Sequence, residues 1–486
     1  MRFLKAKSGF IFLVAALLFQ RCIGPHASLL SKKYSPAQLR EDAQLLNDVI
    51  LEMHPASGLY HPRDYYKQLF ANFIFSLNDS LTEKQFRTRT KLVLDELHCG
   101  HTEVLYSKSF YREVKPMKFN YSPYIFLPVN TKLFVIANLN KKQDSTIRKG
   151  VEVTRINGIA LDSIFKYSKR FISTDGYNQT GKDHFLQLGF NTYFLGQFGR
   201  PDTFELEYKE GKVLKQTNYA AIKLKDMPPI PLGPKDDSLF TKYRRAKIKY
   251  RFLDSASTGM LMKVEKFAHS GSSRVYRKIF KKLNKTNTEN LVLDLRNNGG
   301  GSLANAYRLL TYLMDTVATQ TLRTPLKNYP YRRYTHGNGA FKFTRFAFKL
   351  LGEKKTVRDT DYFAYKMRPR TKNHFGGNIF ILINGGSFSA SCLVAAYLDG
   401  NPRVTLIGEE TGGAREGCNA GVTPYYKLPN TRIRVRVPAF RVINDVSPKI
   451  TGRGIFPDYA LTYSYKDLVL KRDLELLKVK ELLKLK

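Results

Sequence analysis

Residues 383–394 read INGGSFSASCLV. An apolar run ending at Ile383 turns through Asn384-Gly385-Gly386 into a helix-like stretch that stops at Gly400, and Ser387, Ser389 and Ser391 sit on the turn. Small hydroxyl residues at such a place can cap the free N–H groups of the helix. One of them can instead be a nucleophile, because the same N–H groups and the helix dipole favour an oxyanion. Ser389 or Ser391 would fill that role. A second unusual turn, RNNGGGS, follows the apolar run Asn290–Leu295. Three successive glycines, Gly299 to Gly301, let the backbone approach a ligand and point N–H groups at it, where a plain tight turn normally needs one. A serine nucleophile needs a base. Among nine histidines, His101 in ELHCGHTEV (96–104) is the candidate. The same cluster offers a rival chemistry. His98, Cys99 and His101 with Cys418 could bind zinc, although the spacing is irregular and no second Cys/His pair lies near.

The elements that must position these residues follow from the apolar pattern. Ser35-Pro36 reads as an N-cap with proline at the first helical position, and a helix follows to His54-Pro55. A second helix fits Asp64 to Leu77. A third starts at Thr82, with Gln85 completing a capping box, and runs to about Leu97. Together they form a small helical domain, 30–112. From 116 to 220 the pattern is strand-like and ends on TFELEY (203–208), with an irregular insert at about 170–200. Four prolines between 228 and 234 mark a linker. The last part, 240–465, alternates strand, turn and helix: NLVLDL, NIFILI and RVTLIGEE are its strands. That alternation predicts a parallel βαβ sheet, with the active site at the carboxyl ends of the strands. A basic, Tyr/Phe-rich insertion at 322–376 has no clear period and reads as a loop or lid. Residues 466–486 read as a charged C-terminal helix.

Length and composition set the frame. A chain of 486 residues implies two or three domains. It carries 80 Lys+Arg against 41 Asp+Glu, a net charge of +39. That excess implies anionic neighbours, such as an anionic membrane surface or acidic substrates. No nucleic-acid-binding motif accompanies it. Residues 1–22 read as an export signal: Arg2, Lys5 and Lys7, then the apolar GFIFLVAALLF, then Cys22 as a lipidation site. Gln20 and Arg21 stand where small residues are expected before a lipidated cysteine, so cleavage elsewhere is the alternative. The expected location is periplasmic or membrane-anchored as a lipoprotein. Three further cysteines leave at least one thiol free.

These motifs resemble a known family. NLVLDLRNNGGGSLANA, ILINGGSFSASCLVAAYLDG and VTLIGEETGG resemble the core of the carboxy-terminal processing (tail-specific) and tricorn-type serine peptidases. ELHCGHTEV and the first helix resemble the helical domain of the tricorn-like branch, and IRKGVEVTRINGIAL looks like the core of a PDZ domain. The resemblance implies a multidomain α/β chain: an N-terminal helical domain, a PDZ-like β-rich domain at 116–220, and a crotonase-like α/β peptidase core. It implies Ser389 as nucleophile, His101 as general base, and an oxyanion hole from Ala390 and Gly300. The lysine base of the tail-specific branch is replaced by Ala414. The serine beside the tricorn-like histidine is Gly100 here, and the branch's glutamate aligns with Thr451. The group orienting His101 is therefore left to Glu416, Thr451, Glu410 or Asp445. The implied function is an exported serine endopeptidase without cofactor, acting on unfolded polypeptides or C-terminal tails. A histidine base predicts activity rising at about pH 6–7. The alternative is a non-catalytic peptide- or ligand-binding scaffold on the same fold.

Overall fold

The computed structural model describes residues 28–117, 119–139, 147–223, 238–324, 331–336, 353–357, 360–447 and 451–485. The export signal and Cys22 lie outside them, as does the proline-rich linker.

The central sheet is built from the apolar runs. Gly259–Val264, Asn290–Asp294, Asn378–Ile383, Val404–Gly408 and Tyr459–Ala460 pair in parallel in that order, with two antiparallel strands, Ile248–Phe252 and Thr241–Tyr243, on the near edge. Crossovers between parallel strands are usually helices that cover the sheet, and the first three here are. Ser272–Lys285, Leu303–Leu313 and Ala390–Leu398 serve in that way. Asn290–Asp294 and Asn378–Ile383 are neighbours, so the triple-glycine turn and the serine turn leave the sheet side by side.

The first helix, Pro36–Met53, starts at Ser35 with a full capping box to Gln38, and Glu83–Asp95 starts at Thr82 with the same device to Gln85. The buried residues of these helices belong to one contiguous core with those of the central sheet, from Tyr34 to Ile455. A separate apolar core lies within 121–221, where a β-sheet packs on the helices Leu161–Lys169 and Thr180–Phe198.

Several expectations are revised. The segment read as an irregular insert is the helix Thr180–Phe198, with a kink at Gly189. Its buried Leu186, Phe190, Phe194 and Leu195 keep helical spacing, but Gly181, Gly189 and Gly196 mask the signal. The described part of the 322–376 insertion is not loop throughout. Glu353–Val357 and Thr360–Met367 form a hairpin, and the second strand pairs along the whole of Ala318–Thr324. The C-terminal helix is two short helices, Tyr465–Val469 and Leu474–Leu482, separated by Lys471 at positive φ. Cys99, Cys392 and Cys418 are all free and buried. No described helix is long and apolar enough to cross a membrane.

A short antiparallel sheet joins the helices to the core: Glu103–Leu105 pairs with Arg434–Arg436, and Val104 faces Val435. Beside it, the fully buried Asp42 accepts hydrogen bonds from the Asn430 and Thr431 N–H groups at 2.8 and 2.9 Å and from the Thr431 hydroxyl at 2.5 Å. Removing that carboxylate takes the acceptor from the Asn430 and Thr431 N–H groups and from the Thr431 hydroxyl, of which the Thr431 pair is buried. Asp42→Ala is expected to lose roughly 2–4 kcal/mol in urea unfolding, and unchanged stability would show that the clamp contributes nothing.

Candidate active site

The three serines have separate environments. Ser387 is buried; its hydroxyl donates to the Leu295 carbonyl at 2.9 Å and accepts from the Asn384 N–H at 3.1 Å. Ser391 is buried and donates to the Asn298 carbonyl at 2.8 Å. Both therefore stitch the serine turn to the glycine turn. Ser389 is half-buried, stands at the N-terminus of Ala390–Leu398, and makes no capping bond. Its backbone is at φ 57°, ψ −116°, a region costly for a residue with a Cβ and found mostly where surrounding structure enforces it. A cap residue would sit in the β region. Strained turns of this kind, from strand to helix, hold a serine hydroxyl out over the end of a sheet.

The glycine turn fits against that hydroxyl. A Cβ on Gly300 (φ +95°) would lie 2.8 Å from Ser389 Cβ and 2.9 Å from the Ala390 nitrogen, so no larger residue fits. The Gly300 N–H, however, donates to Asn298 Oδ1 at 2.9 Å. Ala414 is buried and lines the small cavity beside Ser389, which it shares with Asp175, Cys392, Cys418 and Leu393.

His101 is carried to this point by the strand Glu103–Leu105, and Arg436 Nε donates to its carbonyl at 3.1 Å. Its ring lies 5.1 Å from that of Phe388, the residue before Ser389. A ring nitrogen of His101, a carboxylate oxygen of Asp175 and Cys418 Sγ all lie within 4.8 Å of one another. The Ser389 side chain lies beside the same thiol and partly offsets the rise that burial and the Asp175 charge impose on it. Ser389 and His101 thus flank one sulfur without a direct hydrogen bond. Catalytic pairs are often this loose before substrate binds.

Asp175 was not anticipated from the sequence. Its Oδ1 accepts the Gly100 N–H at 2.9 Å. Its Oδ2 is buried without a partner among the described residues, and so is His101 Nδ1. Burial raises the Asp175 pKa to about 7, with Glu416 adding to the rise and the Gly100 N–H and Arg441 opposing it. Burial, helped by the Arg436 charge, lowers that of His101 to about 4. A side chain at Gly100 would run into Phe388 and come within 3.3 Å of Asp175 Oδ1. The serine of the family pattern therefore has no room here.

The orienting candidates read from sequence do not reach His101. Glu416 Oε1 accepts from the Tyr60 hydroxyl at 3.1 Å and the Gly452 N–H at 3.0 Å, 3.6 Å from Arg441, so it stands behind Asp175. Glu410 pairs with Arg453 at 2.9 Å and accepts the Gly454 N–H. Thr451 and Asp445 are exposed. For a metal, the sequence grouping of His98, Cys99, His101 and Cys418 divides. His101 and Cys418 join Asp175, while His98 joins His61 and Glu96 in a second set within 4.8 Å. No sequence signal distinguishes Asp175 from other loop aspartates; only its burial does.

Residues 259–461 match the family model of peptidase family S41. The chain therefore carries a serine-type peptidase domain, of the carboxy-terminal processing and tricorn-type family that the motifs resemble. Among solved structures it is similar to mature CPAF, with a TM-score of 0.63, 14% identity, and 92% of this chain and 97% of that one covered. It is similar also to mature CPAF complexed with lactacystin, at 0.63, 13%, 92% and 98%. At this identity the likeness shows the fold. No curated protein matches the chain.

The three serines predict different outcomes in equilibrium unfolding. Ser387→Ala and Ser391→Ala should each lose roughly 1–3 kcal/mol, because each strands a buried partner. Ser389→Gly should be neutral or gain up to about 1–3 kcal/mol by relieving strain. Destabilisation by Ser389→Gly equal to the other two would show that Ser389 is a structural turn residue.

Proposed function

We propose that the chain is an exported serine endopeptidase that cleaves unfolded or tail-exposed polypeptides through an acyl-enzyme on Ser389. His101 is the general base, and Asp175 is the acid that orients it. The observation that carries this reading is that Ser389, unlike Ser387 and Ser391, is held in a strained backbone with its hydroxyl given to no backbone group. The Ser389 oxygen attacks the scissile carbonyl and its proton passes to His101. The tetrahedral oxyanion is met by the Ala390 N–H, which has no partner among the described residues. Gly300 would be the second donor only after its N–H turns away from Asn298. His101 then gives the proton to the leaving amine, and water releases the acyl group by the same steps in reverse.

Other parts of the reading have separate supports. Export and lipidation at Cys22 rest on residues 1–22 of the sequence. A PDZ-like role for 116–220 in holding C-terminal tails rests on its own core and on IRKGVEVTRINGIAL. Contact with an anionic membrane surface rests on the net charge of +39. The scaffold alternative draws on one feature, the missing Ser389–His101 hydrogen bond. A fluorophosphonate probe separates the two. It should label wild type at Ser389 and leave Ser389→Ala unlabelled, and casein turnover should fall by several orders of magnitude in that variant. Equal turnover in both would end the peptidase reading. No labelling and no turnover would favour the scaffold.

The pH profile tests Asp175. Below about pH 4 both His101 and Asp175 hold protons, between about 4 and 7 the pair holds one, and above about 7 it holds none. Catalysis needs neutral His101 beside ionised Asp175, so kcat/KM should rise through about pH 7. Asp175→Asn should lower the plateau at least about tenfold, as loss of an orienting acid does, and move the rise down toward pH 4, where His101 alone titrates. An unmoved limb would remove Asp175 from the mechanism.

A further inference from the structure

The sheet that delivers His101 carries a second feature. Its strands Tyr425–Lys427 and Arg434–Arg436, with the helix Lys108–Val114, enclose an open groove of about 440 Å³. Lys108, Arg112, Lys427, Arg432 and Arg434 line it, and no carboxylate does. A shallower depression of about 380 Å³ shares Lys427 and Arg432 and adds Arg333. Among the described residues none of these six cations pairs with an acid. Arg434 is fixed by donating to the Tyr106 carbonyl at 3.3 Å and by lying over the Tyr425 ring. Arg432 is held at φ 62° on the turn between the two strands, among its like-charged neighbours. The crowding is felt: burial and the charges of Arg432 and Lys108 together lower the Lys427 pKa. Gathering cations in a concavity without counter-charge costs free energy, and an anionic occupant would recover it.

Position selects the occupant. Lys108 follows His101 by seven residues through Glu103–Leu105, so the groove begins within roughly 25 Å of the base, the reach of seven extended residues. We propose that this groove is a substrate exosite that takes an acidic stretch of the polypeptide being cleaved, up to about seven residues from the scissile bond. The inference rests on the peptidase reading and names its substrate class. Backbone direction across the site is open, so the stretch lies on one side of the cleaved bond only.

The test uses the full chain and a fluorogenic peptide containing a bond cleaved in casein. The peptide is extended on either side by four aspartates or four serines placed about four to seven residues from that bond. Exposed ion pairs are individually weak, but three or four acting together predict roughly a tenfold higher kcat/KM for one aspartate peptide. The gain should vanish at about 0.5 M salt, where the Debye length is only a few Å. In Lys427→Glu/Arg432→Glu it should be lost, while the unextended peptide is cleaved as in wild type. Anisotropy of the labelled aspartate peptide with Ser389→Ala gives the same comparison without turnover, so a failure of catalysis and a failure of the exosite are distinguishable. Equal rates and equal binding for the aspartate and serine peptides would overturn the proposal. So would a gain that survives the double charge reversal, or charge reversal that abolishes binding to phosphatidylglycerol vesicles and leaves the peptides unaffected.

Discussion

The candidate active-site cluster depends on one carboxylate buried almost without counter-charge. Asp175 is 1% exposed and reaches a single N–H, that of Gly100; its other oxygen and His101 Nδ1 are both buried without a partner among the described residues, and one of its oxygens lies within 4.8 Å of a ring nitrogen of His101. Such a group persists only if the surrounding chain fixes it. Here the Gly176 N–H donates to the His98 carbonyl at 2.9 Å, the Tyr177 N–H to the Gly452 carbonyl at 2.7 Å, and Asn178 Nδ2 to the Thr411 carbonyl at 2.6 Å. Three distant parts of the chain thus meet on residues 175–178. The segment ties the histidine loop to the peptidase core as well as holding Asp175 in place.

The serine side of the site is set by a different constraint, close approach. The two turns leave adjacent strands and are sewn together by Asn298, whose carbonyl takes the Phe388 N–H at 3.0 Å and the Ser391 hydroxyl. With Gly300 pressed on Ser389 and Gly413 on the Ser389 nitrogen, the backbone at Ser389 has little freedom to relax from positive φ. The strain is held by neighbours that are themselves hydrogen-bonded, which is how a sheet end can keep a nucleophile raised.

Much of this was legible in the sequence, and the part that was not has a physical reason. Strands such as NLVLDL and NIFILI are continuous apolar runs, and Ser35-Pro36 and Thr82/Gln85 announce their helices, because these features are local. The three hydroxyls of the serine turn were visible, but not which one was unbonded, since that depends on carbonyls at Leu295 and Asn298, nearly a hundred residues away. Asp175 was invisible because its role comes from burial. Glu416 was one of several candidates that spacing did not separate, and it is already bound by Tyr60 and Gly452, with Arg441 close by. The strands Glu353–Val357 and Thr360–Met367 were missed because the charged residues in EKKTV and TDYFAYKM break the apolar alternation that marks a half-buried strand.

The electrostatics of His101 then turn on which neighbour prevails. Burial and Arg436 oppose an imidazolium at His101, the form that the proposed reaction would require. Asp175, when ionised, favours it from within 4.8 Å. At an effective dielectric constant of about 20 a unit pair at that distance is worth roughly 3.5 kcal/mol. That is enough to bring the histidine from about 4 back toward its ordinary range near neutrality. A rise at about pH 6–7 would then report the pair and not an isolated histidine. An isolated histidine in this site would be a weak base, because burial has removed the water that would stabilise its charged form. Only the carboxylate that burial has also made reluctant to ionise can restore it. The two groups are useful to catalysis as a pair, each correcting the shift that the same apolar surroundings impose on the other.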